Sequence, residues 1–192
     1  LITATVDMLA YANSINSQID QMEQTLKNGL KDEVTAVITA EPTAPAGRPF
    51  NLNIRLDLPR IMTYAYQENY PASQMFDEYK DVTVTIPLPM GVTAVDPANM
   101  DNKKENLVIK FPKSGEDDFK GQTNKGKDIK LKVLDNGSVK NGTMFTFKGA
   151  KWSFDVDMYT DKEKKSTKKV NVTGEISEAS HTATAEDAWG IL

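Results

Sequence analysis

No cysteine occurs among the 192 residues. That absence removes disulfides, zinc–thiolate sites and thiol nucleophiles together, so the fold has to rest on buried apolar area. Histidine is scarce as well. His181, in Ser180-His-Thr-Ala183, is the only one, so any Ser-His-Asp arrangement would need it, and nothing beside it marks such a site. The sequence also lacks a nucleophile elbow, a phosphate-cradling glycine loop and a His/Glu pair of metalloprotease type. These gaps point away from catalysis, and no cofactor is expected. A formal net charge of −4 supplies no general basic field, which disfavours nucleic acid as a partner. No run approaches the roughly eighteen apolar residues of a membrane helix, so no membrane insertion is expected of this chain.

What is present begins with one amphipathic stretch. Met8, Ala12, Ile15, Ile19, Met22, Leu26 and Gly29 follow one another at alternate spacings of four and three, with Asp20, Gln21, Glu23, Gln24 and Lys27 between them. The spacing predicts a helix over about Asp7 to Lys31. Its apolar stripe fits either packing on its own domain or helix-mediated self-association through a short coiled-coil seam. Ala12 and Gly29 weaken that seam and favour the first. Leu9-Ala-Tyr-Ala12 has the small-x-small spacing of a signal-cleavage site, but Asp7 interrupts the apolar stretch before it. A start at Leu1 fits a processed or trimmed chain, and the last residues, Trp189-Gly-Ile-Leu192, fit one that continues further.

After the helix the period changes from 3.6 to 2. In Phe50-Asn-Leu-Asn-Ile-Arg-Leu-Asp-Leu58, the residues Leu52, Ile54, Leu56 and Leu58 share one face, and Asn51, Asn53, Arg55 and Asp57 the other. That is a strand with one dry and one wet face, as in antiparallel sheets. Before it, Glu33–Ala40 predicts a first strand, and Pro42, Pro45, Gly47 and Pro49 predict a connection. The same alternation returns at Val82/Val84/Ile86/Leu88, Leu107/Ile109/Phe111 and Ile129/Leu131/Val133. It returns again at Phe145/Phe147, Trp152/Phe154/Val156/Met158 and Val170/Val172, with a last Thr/Ala-rich strand near His181–Ala185. Asp135-Asn-Gly137 and Asn141-Gly142 are turn signals. Seven to nine short strands separated by turns predict an all-β, immunoglobulin-like two-sheet antiparallel sandwich over 33–192, preceded by the helix over 1–32.

One stretch breaks the grammar. Arg60–Asp81 holds Tyr64, Tyr66, Tyr70, Phe76 and Tyr79 around Pro71, without a period of two. A connection of about 20 residues exceeds hairpin length and is commonly functional. These five aromatics are the candidate ligand-binding residues, because Tyr joins rigid area to a polar tip. The competing reading has them cover one end of the sandwich.

Ala46-Gly-Arg-Pro-Phe-Asn-Leu-Asn-Ile-Arg55, Val82-Thr-Val-Thr-Ile-Pro-Leu-Pro-Met-Gly-Val92 and Val170-Asn-Val-Thr-Gly174 resemble immunoglobulin-like modules of Gram-positive cell-surface adhesins. The resemblance spans about Glu33 to Leu192, and its motifs are mostly strand grammar. It implies an extracellular, cell-surface sandwich that binds a protein or glycan ligand, or a stalk unit that presents other domains. No LPxTG-type sorting signal occurs. The resemblance also raises a Lys–Asn or Lys–Asp isopeptide crosslink, which needs inward-facing partners. Lys110, Lys130, Lys132, Lys148, Asn53 and Asn171 all fall on wet faces by alternation, although a one-residue bulge would reverse a face.

Two acidic runs are candidates for calcium sites, Asp155–Glu163 and Glu116–Asp118. Neither has the glycine that a helix-loop-helix calcium loop uses for its turn. Asp155 and Asp157 read as the wet face of a strand, opposite Lys130 and Lys132 if that strand pairs with Asp128–Leu134.

Overall fold

The computed structural model describes residues 2–45, 48–59, 75–96, 100–101, 106–111, 124–133, 139–177 and 182–186. The helix α1 (Ile2–Glu33) leads into β1 (Thr35–Ala40), β2 (Thr43–Pro45) and β3 (Pro49–Asp57). Then come β4 (Lys80–Pro87), β5 (Val92–Ala94), β6 (Met100–Asp101), β7 (Asn106–Lys110) and β8 (Asn124–Val133). Last are β9 (Met144–Thr146), β10 (Lys151–Tyr159), β11 (Thr167–Glu175) and β12 (Thr182–Glu186).

One sheet has the order β1-β3-β8-β5, a second β11-β10-β4-β7-β6, and a small third β2-β12-β9. Lettering β1, β3, β4, β5, β8, β10 and β11 from A to G makes the first sheet A-B-E-D. The second becomes G-F-C, extended by β7 and β6. That is the strand arrangement of an immunoglobulin-type sandwich. The inner faces come from the expected alternation: Leu52, Ile54 and Leu56 on β3, and Trp152, Phe154, Val156 and Met158 on β10, all lie in one buried cluster. Phe50 and Phe147 meet within it at 6.5 Å between ring centroids.

Three expectations need correction. Twelve strands are described rather than seven to nine, because the short strands β2, β5 and β6 carry too few residues to show a period. The Pro42–Gly47 connection contains β2, which runs parallel to β12 with Thr43 opposite Thr184. Its prolines are tolerated because β2 lies at a sheet edge, and Pro49 is the first residue of β3. Finally, β10 does not pair with β8: its neighbours are β11 and β4, whereas β8 lies in the other sheet between β3 and β5. Asp155 and Asp157 therefore do not face Lys130 and Lys132.

The helix divides into two halves. Leu26 and Leu30 are fully buried, and Ile19 and Met22 pack partly against the same core. On β11, Lys168 reaches Glu23 at 2.5 Å and Asp20 at 3.4 Å, and Lys27 adds an (i, i+4) pair to Glu23 at 3.3 Å. Packing on its own domain thus holds for the second half. The first half projects, with Met8 73% and Tyr11 70% exposed.

One inward position requires glycine for space. Gly174 pairs with Trp152 across β11 and β10, and a Cβ added there would stand 2.3 Å from the indole ring. The ring lies over the backbone of Gly174, a packing that covers a strand glycine with an aromatic face.

Two outcomes follow. Gly174→Ala will overpack the indole and lower stability by about 1–3 kcal/mol in urea unfolding; an unchanged midpoint would show that Trp152 can swing aside. The Lys168 ion pair holds the Glu23 carboxyl below its ordinary value and the Lys168 ammonium above its own, each chiefly through their mutual hydrogen bond. The Glu23 contribution is complete above its unfolded value of about 4.3 and disappears as the pH falls through the lower folded value. Native protein should therefore lose stability relative to Glu23→Gln across that acid window, and parallel acid titrations of the two would exclude the linkage.

Candidate functional site

The polar groups that converge on the second sheet do so because β4 contains a bulge. Ser153 of β10 faces Thr83, but Asp155, two residues on, faces Lys80, three residues back. The extra residue is accommodated at Asp81, whose φ of 50° lies in the left-handed region that Asp tolerates better than most residues. Thr83 Oγ1 donates to the Asp81 carbonyl at 2.9 Å. Without the bulge, Lys80 would share the inner face with Val82. With it, Tyr79 turns inward and Lys80 turns outward.

Lys80 then reaches Asp157 Oδ2 at 2.5 Å and Glu78 at 3.6 Å. The hydrogen bond to Asp157 holds the Lys80 ammonium above its ordinary pKa, so this lysine is a charged group rather than a nucleophile. The Tyr159 hydroxyl donates to Asp77 Oδ2, which raises the Tyr159 phenol likewise. Asp77, Glu78, Lys80, Asp157, Tyr159 and Thr167 line an open cleft of about 130 Å³. Three carboxylates against one lysine leave it net acidic, a surface suited to a basic group of a partner.

The neighbouring hairpin loop is folded around one carboxylate. Asp161 accepts the backbone N–H groups of Lys165 at 2.9 Å and Ser166 at 3.1 Å, and the Ser166 hydroxyl at 2.8 Å. The Lys165 bond is the chief cause of its lowered pKa. Lys164, with φ 58°, places its ammonium 5.2 Å from the centroid of the Tyr159 ring. Asp155 accepts from Asn171 Nδ2 at 2.8 Å and pairs with Lys169 at 3.5 Å. The acidic run Asp155–Glu163 is thus divided among separate protein partners, with Asp155 on β11, Asp157 on Lys80 and Asp161 on its own loop. Glu116–Asp118 lies outside the described residues.

Among the candidate ligand-binding aromatics, Tyr64, Tyr66 and Tyr70 lie outside the described residues, as does His181. Phe76 and Tyr79 are described, and at these two positions the packing reading of the aromatic cluster applies. Both are buried. Tyr79 stacks edge-on against Phe76 at 5.3 Å and Phe154 at 4.9 Å, and its hydroxyl donates to the Pro59 carbonyl. Burial, with a smaller contribution from the Glu33 charge, pushes its phenol far above the ordinary value. Among the lysines and asparagines weighed for a crosslink, Lys110, Lys130, Lys148, Asn53 and Asn171 are exposed and Lys132 is half-buried.

The residues that sequence reasoning missed are Asp77, Glu78, Lys80 and Tyr159. A signal was present: Tyr79 and Val82 are both apolar at a spacing of three, with Lys80 and Asp81 between them. That interruption of a period of two is what a bulge leaves in a sequence.

No protein-family model matches the chain, and no curated protein sequence does. Among solved structures, it is similar to one named "Putative membrane anchored protein" from Corynebacterium diphtheriae, with 11% identity and a TM-score of 0.43 over 81% of this chain and 36% of that one. It is also similar to a cohesin module of a Clostridium perfringens family 33 glycoside hydrolase, with 8% identity and a TM-score of 0.31 over 80% of this chain and 97% of that one. This chain therefore spans about a third of the length of the Corynebacterium protein. Both similarities are low, and the fold assignment rests on the strand order and register given above.

Two measurements check the site. In folded protein, Tyr11 should react readily with a tyrosine-modifying reagent while Tyr79 stays protected until unfolding. Tyr79→Phe should cost about 1–2 kcal/mol by leaving the Pro59 carbonyl unpaired, and full labelling of Tyr79 in the native state would contradict the packing. Because burial raises this phenol, its contribution to stability is complete below its unfolded value of about 10 and is lost above it. Asp81→Val, which resists the left-handed region, should destabilise the fold by about 1–3 kcal/mol, whereas Asp81→Gly should be tolerated.

Proposed function

We propose that this protein is a non-catalytic, extracellular module of a cell-surface protein whose work is mechanical: a spacer that holds neighbouring parts apart. The observation that carries the reading is the parallel pairing of β2 with β12. In a parallel pair, the entry of one strand and the exit of the other lie at opposite ends. Tension along the chain between Thr43 and Glu186 therefore pulls the two strands along their length and loads their hydrogen bonds together. The helix adds a second support, since Leu26, Leu30 and the Lys168 ion pairs bind it to β11 ahead of β1. The acidic cleft is small beside the roughly 300–1,000 Å³ of a small-molecule site. The surface assignment draws on the adhesin-like strand phrases.

A second reading, adhesion to a protein or glycan, is favoured by that same cleft. Its Asp77, Glu78 and Asp157 carboxylates would receive a Lys or Arg side chain of a protein ligand.

Single-molecule pulling distinguishes the two. A spacer should unfold at clearly higher force when held at positions 43 and 186 than when held at positions 43 and 57, where the chain is drawn across β3. Equal forces would remove the mechanical reading. For adhesion, beads carrying the protein should adhere to at least one of a panel of extracellular-matrix proteins and glycans, and Asp77→Asn with Asp157→Asn should abolish that adherence without lowering stability by more than about 1 kcal/mol.

A further inference from the structure

Three Asn-Gly steps occur in the sequence, at 28–29, 136–137 and 141–142. Two of them fall within the described residues, and the fold places them in opposite settings. We infer that Asn141 is a site of spontaneous, conformation-selected deamidation, and that α1 protects the chemically identical step at Asn28.

The reaction needs no catalyst beyond water and hydroxide. Hydroxide removes the proton of the Gly142 backbone amide, and that nitrogen attacks Asn141 Cγ. A new bond forms between the Gly142 nitrogen and Cγ, the bond from Cγ to Asn141 Nδ2 breaks, and ammonia leaves, giving a five-membered imide. Water then opens the imide at either carbonyl, to aspartate or to isoaspartate. The sum is Asn plus water giving Asp or isoAsp plus ammonia, with no change of oxidation state.

Three features of the structure permit this at Asn141. The residue is exposed, and its side chain makes no hydrogen bond among the described residues. The turn is a four-residue one closed by Thr143 N–H to the Lys140 carbonyl at 3.2 Å, and the Thr143 hydroxyl reinforces it at 2.6 Å. Gly142 occupies its third position with φ 84°, the geometry of a type II turn. That closing bond leaves the attacking amide of Gly142 outside the hydrogen-bond pattern. No atom stands within 4 Å of a Cβ placed on Gly142, so the turn has room to rearrange into the imide.

Asn28 is exposed as well, but its side chain and the amide that follows it are both engaged. Gly29 lies within α1, where the helical ladder engages its amide. The Asn28 side-chain oxygen Oδ1 accepts from Gln24 Nε2 at 3.1 Å, and Leu30, the residue after Gly29, is fully buried. Ring closure there requires the docked half of the helix to open first. The product at Asn141 would be a new negative charge, or an isopeptide-lengthened backbone, three residues ahead of β9, the strand that pairs Met144 with Thr184 of β12.

The test uses the intact folded protein, incubated at mildly alkaline pH and sampled over time by tryptic peptide mapping. Cleavage after Lys27, Lys132 and Lys140 puts the three steps in separate peptides, so each is followed alone. The expected result is loss of Asn141 at least roughly tenfold faster than loss of Asn28, the factor an opening cost of about 1.4 kcal/mol imposes. In denaturant the two rates should converge. Asn141→Gln should silence the 141–148 peptide and leave the other two unchanged. Equal rates at Asn28 and Asn141 in the folded protein would overturn the inference. So would an intact Asn141 after a time in which the denatured sample has reacted.

Discussion

The contact on which the second sheet depends is a row of four aromatic rings. Trp152 lies nearly parallel to Phe154 at 5.5 Å, Phe154 meets Tyr79 edge-on at 4.9 Å, and Tyr79 meets Phe76 at 5.3 Å. Each ring buries enough apolar surface to be worth about 1.5–3 kcal/mol, and the tilted pairs add to that. The row runs from the glycine on β11, across β10, to the segment that precedes β4. It ties three pieces of chain that are far apart in sequence, and it can do so only if Tyr79 points inward.

Tyr79 points inward because of one residue. The bulge at Asp81 shifts the phase of β4, so that Tyr79 joins the core and Lys80 leaves it. The same shift therefore builds the aromatic row on one side of the sheet and the Lys80–Asp157 ion pair on the other. Core and candidate site are two faces of one backbone irregularity. A short stretch of left-handed backbone costs free energy locally, and the buried phenol with its bond to Pro59 offsets it.

The helix shows how a single periodic stripe can serve two ends. From Ile19 onward the stripe meets the sandwich, and the ion pairs of Lys168 with Glu23 and Asp20 fix its contact with β11. Before Ile15 the same spacing continues with Met8, Leu9 and Tyr11 exposed. Periodicity alone registers the stripe; it carries no information on where the supporting sheet ends.

The sequence by itself determined the long strands, because a period of two with one apolar set can only be satisfied by a sheet with one dry face. Leu52, Ile54 and Leu56, and Trp152 through Met158, were legible for that reason, as were the helix and the all-β class. Tertiary structure alone decided what each strand pairs with. Asp155 and Asp157 look alike whether β10 lies beside β8 or beside β11 and β4, since the wet face of a strand does not encode its neighbour. It also decided that Phe76 and Tyr79 are core, that Pro42–Gly47 holds a strand parallel to β12, and that Asn28 and Asn141 differ. Each of these depends on contacts between residues distant in the chain, or on a one-residue change of phase, and neither leaves a period to read.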